Sequence, residues 1–243
     1  MPEISQLKRM MAAIRAIVFP DYYPMAENPT ETLRAILCCQ LTTVSANATD
    51  IAEAFIAQLP EIARLLHTDV DAMLRNDPAV GDRGEVILCY PLPNVMLHYR
   101  SAHALYRLGV ARLPRMLTEM AHSRTGIDIH PAAQIGDHFC IDHGTGVVIG
   151  ETAIIGSHVV LYQGVTLGAK NFEYDAEGRP IGVPRHPILE DHVTVYSNTS
   201  ILGRVRIGRN TVVGGNIWLT QDIPANSTVL QTTPEIRLLS RKI

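Results

Sequence analysis

The sequence predicts an α+β fold, in which an N-terminal α-helical domain is followed by a parallel β-helix built from hexapeptide repeats. Three observations lead to this fold class. Apolar residues recur at helical spacing through the first 125 positions, prolines interrupt that pattern at intervals, and from Ile129 onward an aliphatic residue recurs every six positions. We therefore expect a helical domain over 1–125, a β-helix over 126–230 and a C-terminal tail over 231–243.

The helical domain is predicted from periodicity and from its prolines. Positions 30–58 alternate apolar and polar residues with a period near 3.6, just after Pro29, and Pro60 ends that pattern. The first 18 residues also carry apolar residues at helical spacing. Further helices are expected over 60–66, 70–75, 95–108 and 111–122.

The sixfold period is the most informative pattern in the chain. Its aliphatic positions are Ile129, Ile135 and Ile141, then, after two extra residues, Ile149, Ile155, Leu161 and Leu167, and later Leu189, Val195, Ile201, Ile207, Val213 and Leu219. A helix or an ordinary hairpin sheet does not generate this period, whereas a hexapeptide β-helix does. Because three hexapeptides form one triangular coil, positions about eighteen residues apart stack. Roughly four coils fit between residues 129 and 222.

Two interruptions of the repeat carry polar residues that the prism interior does not need. The slip after Ile141 is expected to lift Asp142 and His143 out of the prism, and Asp128, slightly less than one coil earlier, is placed to orient the imidazole of His143. The second interruption, 169–187, predicts a protruding arm, which ends in Arg185 and His186. A guanidinium offers a planar pair of donors that suits a carboxylate.

Composition restricts the classes of partner. The formal net charge of −3 gives no electrostatic reason to expect nucleic acid or an anionic membrane as a partner. No stretch approaches the roughly 18 to 20 apolar residues of a membrane helix, and the N-terminus lacks the apolar core of a secretion signal, so we expect a cytoplasmic protein. The cysteines Cys38, Cys39, Cys89 and Cys140 lack the spacing of a metal or disulfide framework and are predicted to be buried thiols.

Several short motifs resemble those of serine O-acetyltransferases. They are DIHPAAQIG from Asp128, IDHGTGVVIGETA from Ile141, QGVTLG from Gln163, RHP from Arg185 and ILG from Ile201. The resemblance covers about residues 70 to 230. It implies a left-handed β-helix after the helical domain and assembly as trimers or dimers of trimers, with active sites between neighbouring prisms. The implied reaction is acetyl transfer from acetyl-CoA to L-serine, which begins cysteine synthesis.

The resemblance also implies roles for individual residues. His143 becomes the general base and Asp128 its orienting carboxylate. The acids around the serine become Asp142 and Asp77, which lies on a corner before Pro78. The carboxylate of the serine is recognised by Arg185 and His186. The positions that match the acetyl-CoA contacts are Gly168, Ala169, Tyr196, Ser197, Gly214 and Gly215. No metal is expected, and the terminal Ile243 suggests a contact with cysteine synthase.

Other functions remain open on the sequence. The arm is longer than the family pattern, and Gly168 and Ala169 stand where the family has a pair of glycines. An acyltransferase for homoserine, phosphoserine or a sugar would share the prism and the base. A γ-type carbonic anhydrase would instead bind zinc through three histidines, and the candidates are His130, His138, His143, His158 and His186. A non-catalytic scaffold gives no reason for the Asp128 and His143 pair.

Overall fold

The computed structural model describes residues 2–43 and 45–232, which form a helical part followed by a parallel β-helix. Within these residues there are seven α-helices: α1 Ile4–Val18, α2 Pro29–Leu41, α3 Ala48–Ile56, α4 Leu59–Asn76, α5 Arg83–Cys89, α6 Pro91–Arg107 and α7 Leu113–Thr125. The strands begin at Asp128. The α+β class predicted from the sequence is confirmed.

The helix boundaries differ from the prediction in two places. The single helix expected over 30–58 is wrong, since α2 ends at Leu41 and α3 begins at Ala48. The hydroxyls of Thr42 and Thr43 donate to the carbonyls of Cys39 and Gln40, which satisfies acceptors that a continuing helix would have used. The two helices expected over 60–66 and 70–75 form one helix, α4, which contains Pro60 in its first turn, where a proline costs no backbone hydrogen bond.

The helical part is attached to the first coil of the prism through buried polar contacts. Asp69 of α4 and Arg100 of α6 form an ion pair with 2.7 Å between nitrogen and oxygen, and their side chains are at most 4% exposed. Asp69 also accepts from the backbone N–H of Phe139 at 3.1 Å, while Arg100 donates to the carbonyl of Gly136 at 2.9 Å. These bonds link both helices to one corner of the prism.

The fourteen described strands form three parallel sheets that close the prism. The strands are β1 Asp128–Ile129, β2 Gln134–Ile135, β3 Cys140–Asp142, β4 Val148–Ile149, β5 Ile154–Ile155, β6 Val160–Tyr162, β7 Thr166–Gly168, β8 Ile188–Leu189, β9 Thr194–Val195, β10 Ser200–Leu202, β11 Arg206–Ile207, β12 Val212–Val213, β13 Trp218–Leu219 and β14 Thr228–Val229. The first sheet is β1-β4-β7-β10-β13, the second is β2-β5-β8-β11 and the third is β3-β6-β9-β12-β14. The prism therefore has nearly five coils rather than the four predicted.

The strand register explains the irregular spacing of the repeat. Ile129 pairs with Ile149, so the first coil contains the two extra residues, whereas Ile149 pairs with Leu167 at the regular spacing. Leu167 then pairs with Ile201, which leaves the arm outside the prism. The aliphatic residues of the repeat fill the interior, as predicted. Most of them, including Leu161, Leu167 and Ile201, are fully buried.

The corners of the prism form three edges, and two of them matter for the site. The base edge joins the third sheet to the first, and consists of residues 143–147, 163–165, 196–199 and 214–217. The arm edge joins the first sheet to the second, and consists of residues 130–133, 150–153, 169–187 and 203–205. The first sheet lies between these two edges.

Two other expectations concern the chain as a whole. No helix in the described ranges has the length and apolar character to cross a membrane. The prediction of buried thiols holds for Cys140 but is wrong for Cys39 and Cys89, which are exposed, and Cys38 is half-buried. The last residue of α5 is Cys89, and the helix ends there with its thiol outside the core. The tail that ends in Ile243 lies outside the described residues.

Candidate active site

The base edge presents His143 to solvent. This residue follows β3, has a φ of 56° and keeps 74% of its side chain exposed. Asp142, by contrast, remains the last residue of β3, pairs with Tyr162 and is only 16% exposed. The Nε2 atom of His143 lies 3.8 Å from Oδ1 of Asp142. The slip in register therefore lifts His143 out of the prism but not Asp142, which corrects that part of the prediction.

Asp77 lies close to this corner and is held in a defined orientation. It ends α4 in the extended conformation that a following proline favours. Its Oδ1 accepts from the backbone N–H of Ala79 at 2.8 Å, and its Oδ2 accepts from the hydroxyl of Tyr90 at 2.8 Å. These two bonds, with a smaller effect of His143, lower the pKa of Asp77. The hydrogen bond to Asp77 raises the pKa of Tyr90 to about 12.

Asp128 has a different partner from the one expected. Its Oδ1 accepts from Nη1 of Arg115 on α7 at 3.1 Å, and Nη2 of Arg115 also donates to Glu119 at 2.7 Å. His122 contacts Glu119 at 3.2 Å. Among the described residues there is no hydrogen bond between Asp128 and His143. Their pairing stays a prediction, and Asp128 is positioned here by a network from α7.

Arg185 is already paired within its own chain. Its Nη2 donates to Glu151 at 2.6 Å, and Nη1 donates to the carbonyl of Val183 at 3.3 Å. The guanidinium also lies over the ring of Phe172, 5.9 Å from its centroid. Only Nε is buried without an acceptor within the described part of the chain. Because Glu151 already balances the charge of this guanidinium, an incoming carboxylate would compete with Glu151 for its donors.

His186 is a packing residue of the arm edge in this structure. Its Nδ1 accepts from the backbone N–H of Thr152 at 3.1 Å, and its ring lies so close to Gly150 that a Cβ there would come within 2.0 Å of Cδ2. Burial, and then the charge of Arg185, lowers the pKa of His186 to about 4. At 7% exposure it offers little surface to a ligand, and its role in substrate binding stays a prediction.

The residues expected to bind acetyl-CoA fall into two groups. Tyr196, Ser197, Gly214 and Gly215 follow β9 and β12 on the base edge, the same edge as His143. Tyr196 stacks on Tyr162 with 4.8 Å between ring centroids, and a Cβ on Gly215 would lie 3.1 Å from the carbonyl oxygen of Ser197. Ala169 lies across the first sheet on the arm edge, with Arg185, and Gly168 is the last residue of β7, directly before that edge. The chain thus divides the predicted site between two edges.

The histidines considered for zinc do not form a three-histidine cluster within the described ranges. His138 and His158 stack with 4.3 Å between centroids, and with Asp137 they could offer three ligand atoms to an ion. A second possible group, Glu119, His122 and Asp128, already surrounds the guanidinium of Arg115.

Comparison with known proteins decides the family. No protein-family model matches the chain. It is 50% identical over 189 residues to a plasmid-encoded serine acetyltransferase of Synechococcus elongatus, and this match covers 77% of the chain and 59% of that protein. It is 40% identical over 167 residues to the serine acetyltransferase of Bacillus licheniformis, with 69% of the chain and 74% of that protein covered. The chain belongs to the serine acetyltransferase family.

Solved serine acetyltransferases also share the fold. Isoform 3 from Entamoeba histolytica, determined in complex with cysteine, matches 96% of the chain and 84% of its own with a TM-score of 0.83 and 35% identity. The Neisseria gonorrhoeae enzyme, determined in complex with serine, matches with a TM-score of 0.67 and 26% identity. This match covers 92% of this chain and 95% of the Neisseria gonorrhoeae chain. The Brucella abortus enzyme, determined in complex with coenzyme A, matches with a TM-score of 0.67 and 25% identity. This match covers 94% of this chain and 79% of the Brucella abortus chain.

The matched region does not cover every relative fully. The chain spans 59% and 65% of the length of two Synechococcus elongatus serine acetyltransferases. The helical part, by contrast, is included in the structural match to the Entamoeba histolytica enzyme, which covers 96% of this chain. The left-handed β-helix with a helical N-terminal part is thus the fold of this family member.

Three residues of this serine acetyltransferase family member were missed by the sequence analysis. Arg115 and Tyr90 hold the predicted Asp128 and Asp77, and Glu151 neutralises Arg185. Glu151 stands inside the IDHGTGVVIGETA motif, so its charge next to the arm edge was visible in the sequence. Arg115 lies on α7 and Tyr90 lies between α5 and α6, and the approach of these helices to the prism has no linear signal.

Proposed function

We propose that the protein is a serine O-acetyltransferase, which transfers the acetyl group of acetyl-CoA to the hydroxyl of L-serine and forms O-acetylserine for cysteine biosynthesis. One observation carries the proposal. In a chain of this family, the exposed imidazole of His143 stands beside Asp142, and its charge also acts on Asp77. The serine and coenzyme A present in structures of two relatives support the same pair of substrates.

His143 performs the central step as a general base. A neutral imidazole accepts the proton of the serine hydroxyl while the serine oxygen forms a bond to the thioester carbon. The bond between that carbon and sulfur then breaks, and the proton held by His143 passes to the departing sulfur of coenzyme A. Asp77 and Asp142 attract the ammonium group of serine. No covalent bond to the protein is needed, so proximity supplies much of the acceleration.

We further propose that the complete site needs more than one copy of the chain. His143, Tyr196 and Gly214 lie on the base edge, whereas Arg185 and Ala169 lie on the arm edge. Packing the base edge of one prism against the arm edge of the next joins the two halves, as a cyclic trimer or a dimer of trimers would. Cytoplasmic location and cysteine synthase as a partner through Ile243 belong to the same proposal.

The decisive variant is His143→Asn, because asparagine tolerates the positive φ of this corner. Asn198, Asn210 and Asn216 already adopt the same conformation elsewhere in the prism. We expect acetyl-CoA-dependent release of coenzyme A in the presence of serine to fall about 10² to 10⁴-fold, the range of general-base contributions. His192→Asn is the matched control, since His192 also has a positive φ but lies on the third edge of the prism. Equal activity of the two variants would reject His143 as the base.

The acceptor is identified with the unmodified protein. Coenzyme A release is compared for serine, homoserine, phosphoserine and a sugar, and we expect serine to give the highest kcat/KM. A higher value for another acceptor would change the substrate and leave the acyltransferase intact. Hydration of carbon dioxide, together with stoichiometric zinc in the purified protein, would instead favour the carbonic anhydrase alternative.

A further inference from the structure

A polar cavity of about 310 Å³ lies between the helical part and the first coil, beside His143. We call it the basic cavity and define it by Arg15 of α1, Asn94 of α6 and Arg124 of α7. His143 and Thr145 of the base edge also line it. The proposed reaction uses none of the three defining residues.

Neither guanidinium of the basic cavity has an acidic partner within residues 2–43 and 45–232. Arg15 donates from Nη2 to Oδ1 of Asn94 at 2.6 Å and lies 5.2 Å from the ring centroid of Tyr23. Burial lowers the pKa of Arg15, and the nearby positive charge of Arg124 lowers it as well. Arg15 is half-buried and Arg124 is exposed, so the structure leaves two positive charges at this cavity that a bound anion would compensate.

Asn94 adds a donor to the same cavity. Its Nδ2 is buried and has no acceptor in the described part of the chain. A buried donor left without an acceptor is destabilising, and an oxygen atom of a ligand would supply the missing acceptor. Three side chains thus bring unused donors to one cavity.

No carboxylate lines the basic cavity among the described residues. Two acids lie behind its lining, since Asp77 accepts from Tyr90 and Asp142 lies 3.8 Å from His143. A neighbouring cavity of about 790 Å³ shares Arg15, Asn94 and Arg124 and is also lined by Glu119, but Glu119 is bound by Arg115 at 2.7 Å. Burial, and to a lesser extent the two arginines, lowers the pKa of His98 to about 4, so this residue is neutral near pH 7. The positive charge at the basic cavity therefore comes from the guanidiniums of Arg15 and Arg124.

We propose that the basic cavity binds an oxyanion, either a carboxylate or a phosphate group, through Arg15, Arg124 and the Nδ2 of Asn94. Guanidinium groups match both groups because they can donate two parallel hydrogen bonds. The anion would sit next to His143, so that it is either the carboxylate of the acceptor or a separate small anion that acts on the site. The consequence for turnover rests on the proposed function, but anion binding does not.

Anion binding is tested on the full chain with inorganic phosphate as the probe. The double variant Arg15→Gln, Arg124→Gln is compared with the double variant Arg107→Gln, Arg209→Gln, which removes the same charge from two exposed residues that do not line the cavity. At constant ionic strength, we expect phosphate to raise the Tm of the parent and of the control. Calorimetry should give an affinity at least about tenfold weaker for the cavity variant, the scale of a lost charged hydrogen bond. Circular dichroism without phosphate verifies that each variant is folded.

The source of the anion is distinguished by the acceptor. If the cavity holds the carboxylate of serine, the cavity variant raises KM for serine at least about tenfold and leaves KM for serinamide, which has no carboxylate, unchanged. If the anion is separate, KM for serine in phosphate-free buffer is unchanged, while the effect of phosphate on kcat/KM disappears. Equal phosphate affinity and equal serine KM in the cavity and control variants would overturn the site. If the protein fails to acetylate serine, the phosphate measurement alone still decides whether the basic cavity binds an anion.

Discussion

Tyr90 and the backbone of Ala79 each hold one oxygen of Asp77, which fixes the carboxylate proposed to bind the ammonium group of serine. Replacing Tyr90 with Phe removes the bond at 2.8 Å and keeps the ring. We expect KM for serine to rise about three- to tenfold with kcat nearly unchanged, because orientation of a binding group acts on the ground state and the transition state alike. Tyr106→Phe, at an exposed position on α6, is the control.

The same variant has a signed pH dependence. Because the hydroxyl of Tyr90 helps to lower the pKa of Asp77, its loss raises that pKa towards the ordinary range. Asp77 then takes up its proton at a higher pH than in the parent. Equilibrium binding of serine should therefore weaken earlier in the variant as pH falls, with the difference from the parent growing below about pH 5. A constant difference from pH 8 to pH 4 would mean that Asp77 does not contact the ligand.

At the scale of single residues, the sequence was informative where the repeat was broken. The slip after Ile141 located the exposed imidazole of His143, because extra residues in a prism corner must leave the prism. It did not locate Asp142, which keeps its place in β3. The sequence could not predict the contacts of Arg115 with Asp128 and of Tyr90 with Asp77, because both contacts depend on how helices approach the prism. That approach is set by packing and not by a local pattern.

At the scale of elements, the buried pair of Asp69 and Arg100 holds α4 and α6 on the first coil. Asp69→Asn keeps the shape of the side chain but leaves a buried guanidinium without its counter-ion. We expect the free energy of unfolding in urea to fall by about 3 kcal/mol, the lower end for removing one partner of a buried pair. Asp71→Asn is the control, because its pair with Arg83 is 43% and 36% exposed and should contribute less than about 1 kcal/mol.

An equal small loss in both variants would show that the contact between helices and prism depends on apolar burial instead. Tyr99, only 1% exposed, donates its hydroxyl to the carbonyl of Ala133 at 2.5 Å on the same interface, so such burial is available. Tyr99→Phe removes this hydrogen bond and keeps the buried ring, so a free energy of unfolding close to that of the parent would agree with a contact that depends on apolar burial.

Strands and helices differed in how far the sequence predicted them. The sixfold period located the strands because each aliphatic residue must point into one narrow interior, which leaves little freedom of register. Helices have a broader buried face, so Thr42 and Thr43 could end α2 without disturbing the apolar spacing that suggested one long helix. The seven-residue helix α5 was missed, since it is too short for a periodic signal.

At the scale of the whole molecule, one question is whether His143 and Arg185 serve the same site from different copies. The first sheet separates the base edge from the arm edge within a chain. Its outward surface carries Val148 and Trp218, which are 37% and 72% exposed. Thr166 and Ser200 lie between these two residues in the ladder, so they do not form a continuous apolar patch, and the arrangement has to be tested on the two edges themselves.

Mixed oligomers test this arrangement directly. His143→Asn and Arg185→Gln chains with different tags are co-expressed, and oligomers that contain both are isolated by two successive affinity steps. If each site takes its base from one prism and its guanidinium from the next, a mixed ring of three rebuilds one intact site, and activity should return to about one third of the parent. The control pairs the His143→Asn chain with a chain that carries both substitutions. Since every chain then lacks His143, the control contains no intact site. Activity of the mixed ring no higher than this control would place both residues in the site of a single chain, and the two edges would then have to be joined across one prism.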